Sequence, residues 1–260
     1  MRLAIFSDVH GNFHALQAVL TDIDSMGSFD QIIFAGDLVW GAALPLECIA
    51  ALQERKITAV YGNTDQFLWE PLKMPEQVSE DERQEWQRFY DLVAWIKEKI
   101  GVKGLEYLQS LPFELSYSPT QYHADDLLIV HANPKDVHVP IFPPEMLQEM
   151  LMGKIRQKDA EVEPLLEGVI ASVVVYGHVH VPNVRKIGQH LLANIASVSR
   201  PQDQDWRSKY GILHFENGTW QVQHRYVEYD IDAARSAILD SDMPDAEQAA
   251  QALMPPENRR

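Results

Sequence analysis

Short apolar runs that end in polar turns recur along the chain. Leu3-Ala4-Ile5-Phe6 passes directly into Ser7-Asp8-Val9-His10-Gly11-Asn12. An apolar run of this length, closed by a turn and followed by an amphipathic stretch, predicts a buried strand feeding a helix. That helix is predicted over 13–26, with apolar positions 13, 16, 19, 20 and 23 on one face and Gly27 ending it. The same pattern returns at 31–35, closed by Gly36-Asp37, and at 57–61, closed by Gly62-Asn63-Thr64-Asp65. Between these two, Pro45 stands near the start of another helix, where proline is tolerated. Strand–helix–strand–helix–strand predicts a parallel α/β sheet with right-handed crossovers.

The pattern then changes. Residues 68–85 are polar and acidic and include Pro71 and Pro75. Residues 85–100 form an amphipathic helix with a stripe of Trp86, Phe89, Leu92, Val93 and Ile96. The stripe reads first as core packing and second as a cap facing a substrate. A short helix is predicted at 105–111 and an alternating, half-exposed strand at 112–117. Two more buried strands follow, at 127–130, ending in His131-Ala132-Asn133-Pro134, and at 169–176, ending in Gly177-His178-Val179-His180. Residues 144–167 between them read as mostly helical. Strands are expected at 184–187, 190–193, 210–215 and 220–229, with Asn217-Gly218 as a hairpin turn. A helix at 232–239 precedes a weakly patterned tail, 240–260, expected to be partly disordered. There is no internal repeat. The organisation expected is one domain over 1–240, with a helical insertion at 66–111 and a C-terminal tail over 241–260.

Composition narrows the partners. With 46% hydrophobic and 23% charged residues, the 260-residue chain has material for a sizeable core. Its net charge of −16 disfavours charge-driven binding to a nucleic-acid backbone or an anionic membrane. A nucleic-acid module would also need a basic patch that the pattern lacks. A small anionic substrate held by metal ions remains compatible, because local charge then dominates. The one cysteine, Cys48, excludes an intramolecular disulfide and reads as a small core residue. No secretory signal or membrane-span pattern stands out, so a cytoplasmic location is the expectation.

The predicted strand ends carry the chemistry. Asp8 and His10, Asp37, Asn63, His131, and His178 with His180 each follow an apolar run. Asp8 and His10 are two apart and would point the same way in extended backbone. Alone, each fragment is weak: Gly-Asp and Gly-Asn are common turns, and a single histidine is more often packed in a core. Together they offer imidazole, carboxylate and amide oxygen, a mixture that suits Mn²⁺, Fe or Zn²⁺ better than Ca²⁺. A carboxylate between two such cations bridges them.

Asp8-x-His10, Gly36-Asp37, Gly62-Asn63-x-Asp65, His131 and Gly177-His178-x-His180, in this order, resemble the signature of the calcineurin-like metallophosphoesterases. The stretch from Ser197 to Asp205 is similar to one in small bacterial members. The resemblance spans residues 1 to about 230 and implies an α/β fold, a four-layer α/β/β/α sandwich of two mixed sheets, with a dimetal site at the strand C-terminal ends. It implies one metal held by Asp8, His10, Asp37 and His180, and a second by Asp37, Asn63, His131 and His178, with Asp37 bridging. His10, Asp37, Asn63 and His131 are the expected catalytic residues. The cofactors implied are two divalent metal ions per chain, with Mn²⁺ favoured over Fe or Zn²⁺. A hydroxide between the metals would attack phosphorus without a covalent enzyme intermediate.

One position departs from the resemblance. Thr64 stands where many members have a histidine that protonates the leaving oxygen, and threonine is no acid near pH 7. The expectation is a preference for leaving groups that need little protonation, or another acid, for which His14 and His138 are the candidates. Substrate contacts are expected from Asn12, at a helix start where N–H groups favour phosphate, and from Asn133 and Arg200. Arg207 reads first as a surface ion pair. Trp40, Phe67, Trp69 and the 86–95 stretch would either stack a base or fill the core. The leading function is hydrolysis of a small phosphorylated substrate, of phosphodiesterase type. The alternatives are a hydrolase of dinucleoside polyphosphates of the diadenosine tetraphosphate type, a protein phosphatase, or a non-catalytic scaffold like the retromer sorting subunit of this fold. No membrane partner is expected, nucleic acid is disfavoured, and the oligomeric state is open.

Overall fold

The structure, a computed structural model, describes residues 1–254. The first strand, β1 (Arg2–Phe6), feeds helix α1 (Phe13–Ser25). Then come β2 (Gln31–Ala35), α2 (Pro45–Glu54), β3 (Thr58–Val60) and a single helical turn, α3 (Asn63–Gln66). The long α4 (Glu80–Ser110) leads to β4 (Glu114–Tyr117) and β5 (Leu127–Val130). Two short helices, α5 (Glu145–Met152) and α6 (Asp159–Val162), precede β6 (Val173–Tyr176). The chain continues through β7 (Asn183–Ile187), β8 (His190–Asn194), β9 (Ser208–Glu216) and β10 (Thr219–Val227) to α7 (Ile231–Leu239) and α8 (Ala246–Ala252).

The strands form two mixed five-stranded sheets, ordered β10-β9-β1-β2-β3 and β4-β5-β6-β8-β7. In the first, β1, β2 and β3 are parallel while β9 and β10 run antiparallel. In the second, β5, β6 and β8 are parallel, with β4 and β7 as antiparallel edges. The alternation along β1 shows how the layers arise. Leu3 and Ile5 pack into the core between the sheets, with Ile129 and Val175 of the second sheet. Ala4 and Phe6 face the other way, into a core shared with helices α1, α2, α4, α7 and α8. A third core, with Val130, Val174, Ile141 and Val162, backs the second sheet. The result is the α/β/β/α sandwich.

Several boundaries differ from the sequence pattern. Helix α4 begins at Glu80, not 85, because Ser79 and Glu82 form a capping box that the acidic composition disguised as loop. Gly101, at φ 63°, kinks it, which is why the pattern resolved into two helices. The 144–167 stretch breaks at Gly153, a left-handed helix end, and β6 begins only at Val173. The expected loose tail is partly wrong. Residues 246–252 are helical, Met243, Ala249, Ala250 and Leu253 are buried, and Asp242 accepts hydrogen bonds from Trp95 Nε1 and Lys99 Nζ, each at 2.9 Å. Residues 255–260 of that tail lie outside the described residues. Among the described residues no helix is long and apolar enough to cross a membrane.

Candidate metal centre

The polar turns that follow β1, β2, β5 and β6 meet at one end of the sandwich. Asp8 N donates to Gly36 O at 2.9 Å, and His10 N to Asp37 O at 3.0 Å, so the turns after β1 and β2 are zipped together. Gly177 N donates to His131 O at 2.9 Å and His178 N to Asp8 Oδ2 at 3.1 Å, which joins the turns across the two sheets. Asp8, His10, Asp37, His178 and His180 all have left-handed backbone, with φ between 52° and 66°. Such conformations cost non-glycine residues about 1–3 kcal/mol each and concentrate where function demands a fixed direction. Asp8 and His10 therefore converge because of a turn, and not because of the extended backbone that their spacing suggests. Asn63 enters as the first residue of α3, next to Gly62.

Glycine makes the close approach feasible. A Cβ at Gly62 would overlap Asp37 Oδ1, one at Gly177 would overlap Asp8 Oδ2 and Ser7 Oγ, and one at Gly36 would lie 2.6 Å from His131 Nδ1. All seven side chains assemble into two sets. In the first, His10 Nε2 faces His180 Nε2 at 3.2 Å, and His180 Nε2 faces Asp8 Oδ1 at 3.0 Å. In the second, Asn63 Oδ1 lies 2.9 Å from both His131 Nε2 and His178 Nδ1, which are 3.3 Å apart. Asp37 stands between the sets, with Oδ2 3.8 Å from His10 Nε2 and Oδ1 3.4 Å from His131 Nε2.

The protons are accounted for elsewhere. Nδ1 of His10, His180 and His131 donates to the carbonyls of Trp40, Arg200 and Ala35, at 2.9, 2.8 and 2.9 Å. A neutral ring that donates from Nδ1 presents a lone pair at Nε2. The Nε2 atoms of His10 and His180 thus meet carboxylate oxygens, and in the metal-free protein a proton held on His131 beside Asp37 supplies the positive charge that a cation would replace. Two groups of ligand atoms close enough to hold an ion are Asp8, His10 and His180, and Asp8, Asp37 and His131. Thr64 Oγ1, one residue beyond Asn63, is buried without a hydrogen-bond partner among the described residues, while Thr64 N donates to Asp37 Oδ1 at 2.9 Å.

Electrostatics in the metal-free protein are uneven. Burial opposes charge on Asp37, but the imidazoles of His131 and His10 overcome it and hold the carboxyl far below its usual range. Burial likewise opposes charge on Asp8, where His180 prevails and lowers it. His131 is raised to about 9 because Asp37 outweighs its burial. Burial drives His10 down to about 4, and burial together with the His131 charge drives His178 to about 4. A depressed histidine contributes stability above its unfolded pKa that is lost as pH falls through the folded value; a raised one contributes below its unfolded pKa and loses it as pH rises. Chelator-treated protein should therefore be most stable near pH 6.5, declining towards pH 4 through His10 and His178 and towards pH 9 through His131. Melting temperature against pH tests this. His131→Gln should flatten the alkaline limb; an unchanged limb would contradict the assignment.

The expected substrate contacts are placed differently. Asn12 is buried and structural: its Oδ1 caps α1 by accepting from Ala15 N at 3.1 Å, and its Nδ2 donates to Ser199 Oγ at 3.3 Å. Asn133 is also buried, and its side-chain hydrogen bonds go to its own loop and not to His131. It organises its own loop, donating to Val139 O and accepting from Lys135 N and Asp136 N. Arg200 is adjacent, through its carbonyl to His180, while its guanidinium bonds Gly41 O at 2.5 Å. Arg207 pairs with Asp205 at 2.6 Å. His14 is half-buried on α1. His138 stacks on Phe67 and meets Gln66 Oε1 at 2.9 Å.

Asp65 closes the Gly62-Asn63-x-Asp65 motif. It is fully buried and accepts from Asp37 N, Leu38 N and Gly62 N, each at 2.9 Å, thereby fixing the turns that carry Asp37 and Asn63. Burial and the Asp37 charge raise it to about 7 against those bonds. Its spacing from Asn63 was the available signal. The carbonyls of Trp40, Arg200 and Ala35 were invisible, since every residue has one.

This fold with this cluster defines a metallophosphoesterase. The family model for the calcineurin-like phosphoesterase superfamily domain matches residues 1–218, and the chain belongs to that superfamily, whose members use divalent metal ions to hydrolyse phosphoester bonds. The uncharacterised protein MJ0912 of Methanocaldococcus jannaschii is 26% identical over 248 residues, covering 94% of each chain. Among solved structures, a metallophosphoesterase from Sphaerobacter thermophilus is 24% identical with a TM-score of 0.67, over 97% of this chain and 98% of that one. The hypothetical protein PH1004 from Pyrococcus horikoshii OT3 is 18% identical with a TM-score of 0.75, over 97% of both chains.

Proposed function

We propose that the chain is a dimetal phosphodiesterase, with one metal held by Asp8, His10, Asp37 and His180 and the other by Asp37, Asn63, His131 and His178. The observation that carries this reading is the pair of facing donor sets with Asp37 between them, one oxygen turned to each. When bound, divalent metals supply charge neutralisation at the phosphoryl oxygens and water acidic enough to ionise near neutral pH. The protein's part is positioning. Trp40, Arg200 and Ala35 carbonyls hold three imidazoles in the tautomer that presents Nε2. Asp65 and the left-handed turns fix the carboxylates before substrate arrives. The mixture of imidazole, carboxylate and amide favours Mn²⁺, Fe²⁺ or Zn²⁺, and we expect Mn²⁺ to restore activity best.

The diester preference rests on charge and on Thr64. None of the seven residues of the centre is basic like Lys or Arg, and Arg200 directs its guanidinium to Gly41. A monoanionic diester needs less added positive charge than a dianionic monoester. Threonine at 64 donates no proton to a leaving oxygen, so esters of acidic alcohols and pyrophosphates should react best. The test strips the protein with chelator, restores Mn²⁺, Fe²⁺, Zn²⁺ or Mg²⁺, and assays mono-, di- and pyrophosphate esters. No metal-restored hydrolysis of any class would overturn the reading. Thr64→His should raise alkyl-ester hydrolysis about 10-fold or more, the lower part of what a placed general acid achieves. Unchanged alkyl rates, or alkyl monoesters as the best wild-type substrates, would refute the role given to Thr64.

A further inference from the structure

An open cavity of about 410 Å³ is lined by Trp40, Gly41, Phe89 and Arg200, and by none of the seven donors themselves. Two of its wall residues, Trp40 and Arg200, are the ones whose carbonyls accept from Nδ1 of His10 and His180, so the cavity and the donor set share these two residues. Phe89 and Leu92 of α4 form one side, and Met243 and Gln248, before and within α8, form the other. Trp40 and Phe89 are half-buried, with ring centroids 5.4 Å apart and planes inclined by 37°. Arg88 and Asp245, 3.9 Å apart and about half exposed, stand at the rim.

We infer that this cavity is a binding subsite for a planar aromatic substituent of the phosphorylated substrate, stacked on Trp40 and Phe89 while the phosphoryl group lies at the donor sets. The inference rests on the phosphoesterase reading of the centre. Four features carry it. The volume is within the range of small-ligand pockets and far exceeds a methyl or ethyl group. The lining is aromatic and aliphatic within, which suits a flat apolar face. The rim offers a guanidinium, a carboxylate and the Gln248 amide, which suit polar atoms on a ring edge. The α8 wall follows residue 218, where the family match ends, and is held in place by Asp242 on Trp95 and Lys99.

The experiment uses full-length, Mn²⁺-loaded protein and phosphonates, whose carbon–phosphorus bond is not an ester; the nucleotide ligand below keeps one ester, at its ribose 5′-oxygen, and is checked for cleavage after each titration. Calorimetry compares methylphosphonate with phenylphosphonate, an aryl group directly on phosphorus, and with adenosine 5′-(α,β-methylene)diphosphate, a base at longer reach. At least one aromatic ligand should bind about 10-fold more tightly than methylphosphonate, the scale of one stacking contact. Whichever shows the advantage identifies an aryl or a nucleoside substituent. Trp40→Ala should reduce the aromatic-to-methyl ratio about 10-fold, as should Gln248→Trp, which fills the cavity from an exposed position on α8. Equal affinity of all three ligands, no binding of any, or a ratio unchanged in both variants would overturn the inference. Ester hydrolysis is assayed in parallel. Hydrolysis without aromatic preference refutes only the subsite, and aromatic preference without hydrolysis of any ester refutes only the enzymatic reading.

Discussion

Asp37→Asn lowers metal-restored hydrolysis by about 10³-fold or more, since loss of a mere outer-sphere partner of a metal typically costs about 10- to 100-fold. Asp8 belongs to both compact ligand groups, but Asp37 is the carboxylate that turns one oxygen to each set. Oδ2 faces His10 and Oδ1 faces His131, and the turn behind it is pinned by Asp65. The substitution keeps the shape but replaces one anionic oxygen by an N–H donor. That donor would face either His10 Nε2 or His131 Nε2 and occupy the lone pair meant for a cation. Metal content should fall along with activity, measured on the same preparation by elemental analysis. A variant retaining both metals and wild-type turnover would refute the bridging position.

Gly62→Ala has the second largest effect. Gly62 has an ordinary φ of −106°, so the substitution adds no backbone strain. The injury is the new Cβ, which would overlap Asp37 Oδ1 and the Asp37 amide. Neither can retreat, because Asp37 N is bonded to Asp65 and the carboxylate lies between the two donor sets. Overpacking of this kind costs about 1–3 kcal/mol of stability. Displacing a bridging carboxylate should also cost activity, about 10² in rate for a shift near 1 Å. Gly27→Ala is the control. At φ 84° with nothing within 4 Å, it strains the backbone in open space, far from the chemistry. It should lose a comparable 1–2 kcal/mol, roughly the left-handed penalty, yet keep full activity. Thermal melts with rate measurements separate the two. Equal loss of activity in both variants would show that the glycine acts through stability alone.

The strand ends were legible because a buried strand has no use for polar residues until it reaches the site, so Asp8, Asp37, His131 and His178 stood out against apolar runs. The seven converging side chains could thus be named from the chain alone. What held them could not, because it is made largely of backbone. Carbonyl acceptors leave no mark in a sequence, and left-handed turns at Asp8 and His10 look the same as extended spacing. Asn12 and Asn133 have structural bonds that the pattern did not show. Polar residues beside ligands suggested substrate contacts, whereas one caps a helix and the other ties a loop. The C-terminal helix was missed for another reason. Its buried positions are Ala249 and Ala250, whose small side chains give little amphipathic contrast. That helix forms one wall of the cavity beside Trp40.

Two metals at one shared carboxylate should be countable in solution. Titrating chelator-stripped protein with Mn²⁺, while following bound metal and hydrolysis of bis(p-nitrophenyl) phosphate together, tests it directly. The predicted result is saturation at two equivalents per chain, with full activity only once both are bound and neither retained in Asp37→Asn. Saturation at one equivalent with full activity, or hydrolysis that survives complete removal of metal, would contradict it.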